Sequence, residues 1–182
     1  MFCNVTIDFG GVNFPTPHKE DGIQYIGFVT VFSGCLRAAK GNPCPDCQNP
    51  SLWDFNSVQR YTLDDLKVFL QGKKRNFDSV FDVSRTQYFL ALLGGEPLDQ
   101  NPDELYGAWY QMVQVFGYNF FTVCFTGYPS LEAIPKAAVP FIRDTVDYLK
   151  LGPYLGNQYK REGLSSGLAT ENQYWVDFPF SE

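Results

Sequence analysis

Three of the chain's five cysteines, Cys35, Cys44 and Cys47, fall within 13 residues, with Cys3 and Cys124 outside that window. Soft thiolates gathered this closely suit zinc or an iron–sulfur cluster. A structural zinc site wants four closed ligands, and His18 or Cys3 could complete one. Three cysteines on a 4Fe–4S cluster instead leave one iron open, and an open iron can take a substrate or cofactor. Cys44-Pro45-Asp46-Cys47 also reads as a redox pair, which leaves Cys35 without a job, and three unligated thiols are the plainest reading. A second group, Gly94-Gly95-Glu96-Pro97, follows an apolar run. Its glycines let backbone approach a ligand closely, and its carboxylate could hold an ammonium group. The same residues also serve as a plain strand-to-helix turn. His18 is the only histidine, so a Ser-His-Asp or Cys-His mechanism has little to work with. No Gly-x-x-x-x-Gly-Lys-Ser/Thr loop is present.

These residues need elements to carry them. The apolar, β-branched and aromatic run 23–33 predicts a buried strand that delivers the chain to Gly34 and Cys35. A short strand is expected at 4–9 in an irregular N-terminal segment, 1–22. Residues 35–57, with Pro43, Pro45 and Pro50, predict a loop without helix or central strand. A helix is expected at 63–71, capped by Thr62 with Asp64 and Asp65 in its first turn and Leu63, Leu66, Phe69 and Leu70 on its apolar face. Residues 73–86 carry no clear pattern. Strands are expected at 87–93, 120–126 and 145–149, a helix at 102–116 opening with Pro102, and an interrupted helical stretch at 131–144. The segment 154–182 reads as a C-terminal extension of loop with a strand-like piece at 174–178. Apolar strands alternating with helices predict an α/β fold with a mostly parallel sheet. In such a sheet, functional groups collect at the carboxyl ends of the strands, where both the cysteine loop and Gly94-Gly95 fall.

Composition narrows the function. With 182 residues, 17 Phe and 11 Tyr, the chain is long and apolar enough for one well-filled domain rather than a disordered segment. A net charge of −6 argues against nucleic acid as a partner. No apolar stretch of about 18 residues predicts a membrane span. Met1-Phe2-Cys3-Asn4 has neither basic leader nor apolar core, which predicts no signal peptide and a cytoplasmic location. Arg37 and Lys40 read as solvated loop charges that a partner or a carboxylate could use. Trp53, Trp109 and Trp175 read as core residues or as a docking face, and Cys124 as an inert core residue.

Taken together, the segments resemble the radical S-adenosylmethionine (SAM) enzymes. Within them the chain looks most like the small glycyl-radical activases, above all the activating proteins of anaerobic ribonucleotide reductase. The resemblance rests on Phe32-Ser33-Gly34-Cys35, Cys44-Pro45-Asp46-Cys47-Gln48-Asn49-Pro50, Trp53-Asp54, Gly94-Gly95-Glu96-Pro97 and Thr126-Gly127-Tyr128. More loosely it includes 147–153 and Asn172-Gln173, and it covers about residues 22–178. This chain has eight residues between Cys35 and Cys44 where the family's common pattern has three. The resemblance implies a partial, open (β/α) barrel forming a single domain over 1–182. It implies a 4Fe–4S cluster on Cys35, Cys44 and Cys47, with SAM on the fourth iron. Gly94, Gly95 and Glu96 would line the methionyl amine, and backbone near Asp46 and Gln48 would face adenine. One electron from a flavodoxin-like donor would cleave SAM, and the deoxyadenosyl radical would take a hydrogen atom from a glycine of anaerobic ribonucleotide reductase. The rival readings are a radical SAM enzyme acting on a small molecule, of the deazapurine-forming type, and a zinc-binding interaction module without catalysis.

Overall fold

A computed structural model describes residues 4–8, 23–57, 62–159 and 168–178. Six strands form one sheet in the order β1 (Asn4–Asp8), β2 (Gln24–Phe32), β3 (Thr86–Gly94), β4 (Phe120–Phe125), β5 (Tyr148–Leu151) and β6 (Tyr174–Asp177). The four middle strands run parallel. β1 and β6 close the two sides antiparallel. This is the α/β, mostly parallel arrangement that the alternation of strands and helices predicts.

The faces of the sheet follow the two-residue period of a strand. Ile26, Phe28 and Phe32 of β2 join Tyr88, Leu90 and Leu92 of β3 on one side. Val29, Phe89, Ala91, Phe121 and Val123 occupy the other. The first face is covered by α2 (Leu63–Asp78), α3 (Pro102–Phe116) and α4 (Val139–Thr145), through Leu66, Leu70, Leu105, Met112 and Phe141 among others. No described helix is long and apolar enough to cross a membrane.

Local chemistry sets the helix boundaries. Thr62 caps α2 in a capping box: its hydroxyl accepts from the Asp65 N–H at 3.1 Å, and the Asp65 carboxylate accepts from the Thr62 N–H at 2.9 Å. The helix runs seven residues past the expected end at 71. Gly72 breaks the apolar pattern, but Phe77 returns to the buried stripe of Leu66 and Leu70, and Lys74 pairs with Asp78 one turn on. α3 has the expected bounds, with the Asn101 side chain accepting from the Asp103 N–H and Pro102 in the first turn. Pro140 opens α4 rather than interrupting it. The strand expected at 145–149 begins at 148, because Thr145 still belongs to α4 and donates its hydroxyl to the Phe141 carbonyl at 2.7 Å. The cysteine loop also departs from expectation. It contains a short helix, α1 (Leu36–Ala39), and a 3-10 turn at Pro50–Leu52. The prolines all lie outside α1, so they leave its four residues free to coil.

A candidate metal centre at the carboxyl edge of the sheet

The parallel strands end side by side, and the loops that follow them are laced by backbone hydrogen bonds. The Gly34 N–H donates to the Leu52 carbonyl at 2.7 Å and the Cys35 N–H to the Trp53 carbonyl at 3.1 Å. The Gly95 and Glu96 N–H groups donate to the Phe32 and Gly34 carbonyls, each at 2.8 Å. Further along the edge, the Gly152 N–H donates to the Tyr128 carbonyl at 2.8 Å. The two glycines at the end of β3, Gly94 and Gly95, are demanded by this lacing. Gly94 sits at φ +122°, and a Cβ on it would lie 2.3 Å from the Phe32 carbonyl oxygen. A Cβ on Gly95 would lie 2.4 Å from that of Gly34.

The three clustered cysteines are free thiols. Cys35 stands between β2 and α1. Burial pushes its thiol up, with the N–H groups of Ala38 and Arg37 pulling the other way and the carboxylates of Asp99 and Glu96 adding to the rise. Cys44 and Cys47 end a tight turn closed by the Cys47 N–H on the Cys44 carbonyl at 3.3 Å. Burial also raises the Cys44 thiol, and the Arg37 guanidinium opposes that rise. The Cys47 sulfur accepts the Trp53 indole N–H at 3.2 Å. Cys124 lies wholly buried in β4 among helix-side core residues, and burial holds its thiol far above the usual range. Cys3 and His18 lie outside the described residues.

A cavity of about 260 Å³ opens beside the turn. Cys44, Cys47, Gln48, Gly94 and Gly95 line one part of its wall, and Thr126, Gly127, Lys150, Tyr154 and Gln173 line another. Cys35, Asp46 and Glu96 are not among the lining residues. The Asp46 carboxylate accepts the Gly156 N–H at 2.9 Å, tying the cysteine turn to the loop after β5. Glu96 sits behind the wall, 3% exposed. Its Oε1 accepts the Thr126 hydroxyl at 2.7 Å and the Leu98 N–H at 3.2 Å, and its Oε2 accepts the Gly127 N–H at 2.8 Å. Burial pushes this carboxyl up to about 7, and those donors restrain the rise.

Gly127 is the common neighbour of the site. A Cβ there would lie 3.4 Å from the Cys44 sulfur, 3.4 Å from Arg37 Nη1 and 3.5 Å from Glu96 Oε2. The Arg37 guanidinium also donates to the Gly127 carbonyl at 2.7 Å. Arg37 is therefore a fixed cation beside Cys44, not the solvated loop charge its position in the sequence suggests. Lys40 is exposed, as expected. In the sequence Lys150 enters the resemblance only within the loose match at 147–153. It is 9% exposed, lines the cavity and donates to the Gly152 carbonyl at 3.2 Å. Burial draws its ammonium down to about 8, while Glu96, Cys44 and Cys124 push back. A lone lysine in the apolar strand Tyr148-Leu149-Lys150-Leu151 was the available signal, since lysine is rarely buried without a task. Of the tryptophans, Trp53 belongs to the site, Trp109 packs with Tyr118 and Phe120, and Trp175 packs edge-on against Phe125.

Among the described residues, no three His, Cys, Asp or Glu side chains close on a single point as the ligands of one ion would. A 4Fe–4S cluster makes a different demand, because each thiolate holds its own iron and the sulfurs stand further apart than around one zinc. The donor set fits that demand in its chemistry: free thiols on one loop, a cation beside Cys44, an N–H on Cys47 and the missing Cβ of Gly127 next to a sulfur. Residues 21–174 match the family described as the 4Fe-4S single cluster domain. The chain belongs to that family. No curated protein and no solved structure matches the chain. For a single-cluster domain, Cys124 is the poorest of the four described thiols, fully buried in the core and absent from the cavity wall, and Cys35, Cys44 and Cys47 are the three on the edge loop.

Proposed function

We propose that the chain is a radical SAM enzyme whose cluster is held by Cys35, Cys44 and Cys47, and that it activates a glycyl-radical partner, anaerobic ribonucleotide reductase. The observation that carries this reading is the juxtaposition at one edge of the sheet. The cysteine turn and Gly94-Gly95 line the same cavity, on a chain that belongs to a 4Fe–4S single cluster family. On this reading residues 1–182 form a single domain, a partial and open barrel, with the open side leaving room for a glycine-bearing loop. When bound and reduced by a flavodoxin-like donor, the cluster would supply the electron that cleaves the carbon–sulfur bond of SAM. The chain's own residues bind and orient. Gly94 and Gly95 offer close backbone to the methionyl amine, and Gln48 and the backbone near Asp46 lie toward the adenine. Lys150 is the buried cation available to a carboxylate inside the cavity. Glu96 acts from behind, fixing Thr126 and Gly127 in the wall. Arg37 holds the Gly127 carbonyl and keeps positive charge beside Cys44.

The test is anaerobic reconstitution with iron and sulfide, followed by dithionite and SAM. Support would be about four irons per chain, a brown protein and 5′-deoxyadenosine formation lost in Cys44→Ala. A colourless protein that holds zinc and is inert to SAM would overturn the reading. Turnover of SAM without radical formation on the reductase would move the substrate to a small molecule.

A further inference from the structure

We propose that Trp53 is a positioning residue that sets the reduction potential of the cluster, through the hydrogen bond from its indole N–H to the sulfur of Cys47. This inference rests on the reading of Cys35, Cys44 and Cys47 as cluster ligands. Trp53 follows the 3-10 turn at Pro50–Leu52, its own N–H donating to the Pro50 carbonyl at 3.3 Å. From there it grips the cysteine loop at two places. Its carbonyl accepts the Cys35 N–H at 3.1 Å, and its Nε1 lies 3.2 Å from the Cys47 sulfur. The neighbouring Leu52 carbonyl accepts the Gly34 N–H at 2.7 Å, so the segment that presents the indole is pinned to the end of β2. The ring is half-buried, which limits competition from water for its N–H.

An indole N–H can only donate. A sulfur on an iron–sulfur cluster gains negative charge when the cluster takes an electron. A donor aimed at that sulfur therefore favours the reduced state more than the oxidised one, and raises the potential. The rest of the indole contributes packing, which a phenyl ring largely keeps. Trp53→Phe thus removes the dipole and leaves most of the contact.

The experiment uses the full chain, reconstituted anaerobically, as wild type, Trp53→Phe and Trp53→His. Each is titrated with dithionite and mediators while the reduced cluster is followed by electron paramagnetic resonance, and iron per chain is measured alongside. The expected result is full iron content with the midpoint of Trp53→Phe shifted to more negative potential. Trp53→His, which returns a ring N–H, is expected between the two. A loaded Trp53→Phe with the wild-type midpoint overturns the proposal. Where neither variant loads, pulsed resonance on the wild type carrying 15N-indole tryptophan decides: a 15N coupling from the indole at the reduced cluster is expected, and its absence overturns the proposal. A wild type that takes up no cluster is a different failure, that of the ligand assignment.

Discussion

Thr30, Leu92, Cys124 and Leu149 lie in one register row across the four parallel strands, and all are shut off from solvent. Within four residues the same strands reach Gly34, Gly94, Thr126 and Gly152, and there the chain is held by a different set of forces. The row is part of a packed core under three helices, where stability comes from apolar area and close contact. The edge is held by interloop hydrogen bonds and by polar groups buried with partners, Glu96 and Thr126 above all. A buried carboxyl is costly unless satisfied, so its presence at the edge marks a place where the fold maintains something other than stability.

Substitutions in the two regions should separate loading from folding. The largest effect is expected for Cys44→Ala, which should remove nearly all reconstituted iron while shifting the unfolding free energy of the metal-free chain by less than about 1 kcal/mol. Iron analysis and urea denaturation check the two halves; a metal-free chain that unfolds with the variant would erase the contrast. Phe28→Ala is the converse. Phe28 is fully buried against Phe77, Tyr88 and Phe116, so its loss should cost about 3–5 kcal/mol in denaturant titrations, with iron per folded chain unchanged.

Glu96→Ala tests the edge itself. It strands the Thr126 hydroxyl and two N–H groups, and should cost about 1–3 kcal/mol at pH 5. The folded carboxyl titrates at about 7 against an ordinary value of 4.5, so the folded state holds the proton more tightly. Its contribution is full below about pH 4.5 and is lost as pH rises through about 7, so the gap between wild type and variant should narrow toward pH 8. A gap that widens with pH would reverse the assignment of burial as the dominant cause. The smallest effect is expected at Asp147, which accepts the Thr122 N–H at 2.6 Å and which burial raises to about 6 from 3.8. Asp147→Asn keeps the acceptor and removes the charge. Solvent screening at this partly exposed group reduces the gain to about 1 kcal/mol at pH 7.5, and the gap should vanish below about pH 4. Denaturation at the two pH values measures it.

Much of this architecture was legible in the residues. The runs that became β2, β3 and β4 are long, apolar and β-branched or aromatic, and the caps Thr62 and Asn101 act within three residues of themselves. α1, the second half of α2 and the start of β5 were not legible. Four helical residues among prolines give no period, Gly72 hides the return of Phe77, and Thr145 is kept in its helix by a bond four residues back. At the site, the cysteine spacing and the doubled glycine point to one shared edge of the sheet, because both rest on residue type. Arg37 on Gly127, the indole on Cys47 and the carboxyl of Glu96 turned inward are contacts across 90, 6 and 31 residues.

Spacing, propensity and local caps act over a few residues, and they are enough to set an α/β order of elements, three thiols on one loop and a glycine backbone at the end of β3. The fixed Arg37 cation, the support that Glu96 gives the cavity wall from behind and the place of Lys150 in the cavity come from the folded arrangement of distant loops. Those outcomes depend on which loops four parallel strands bring to one edge, and on how much water that meeting excludes from the charges it gathers.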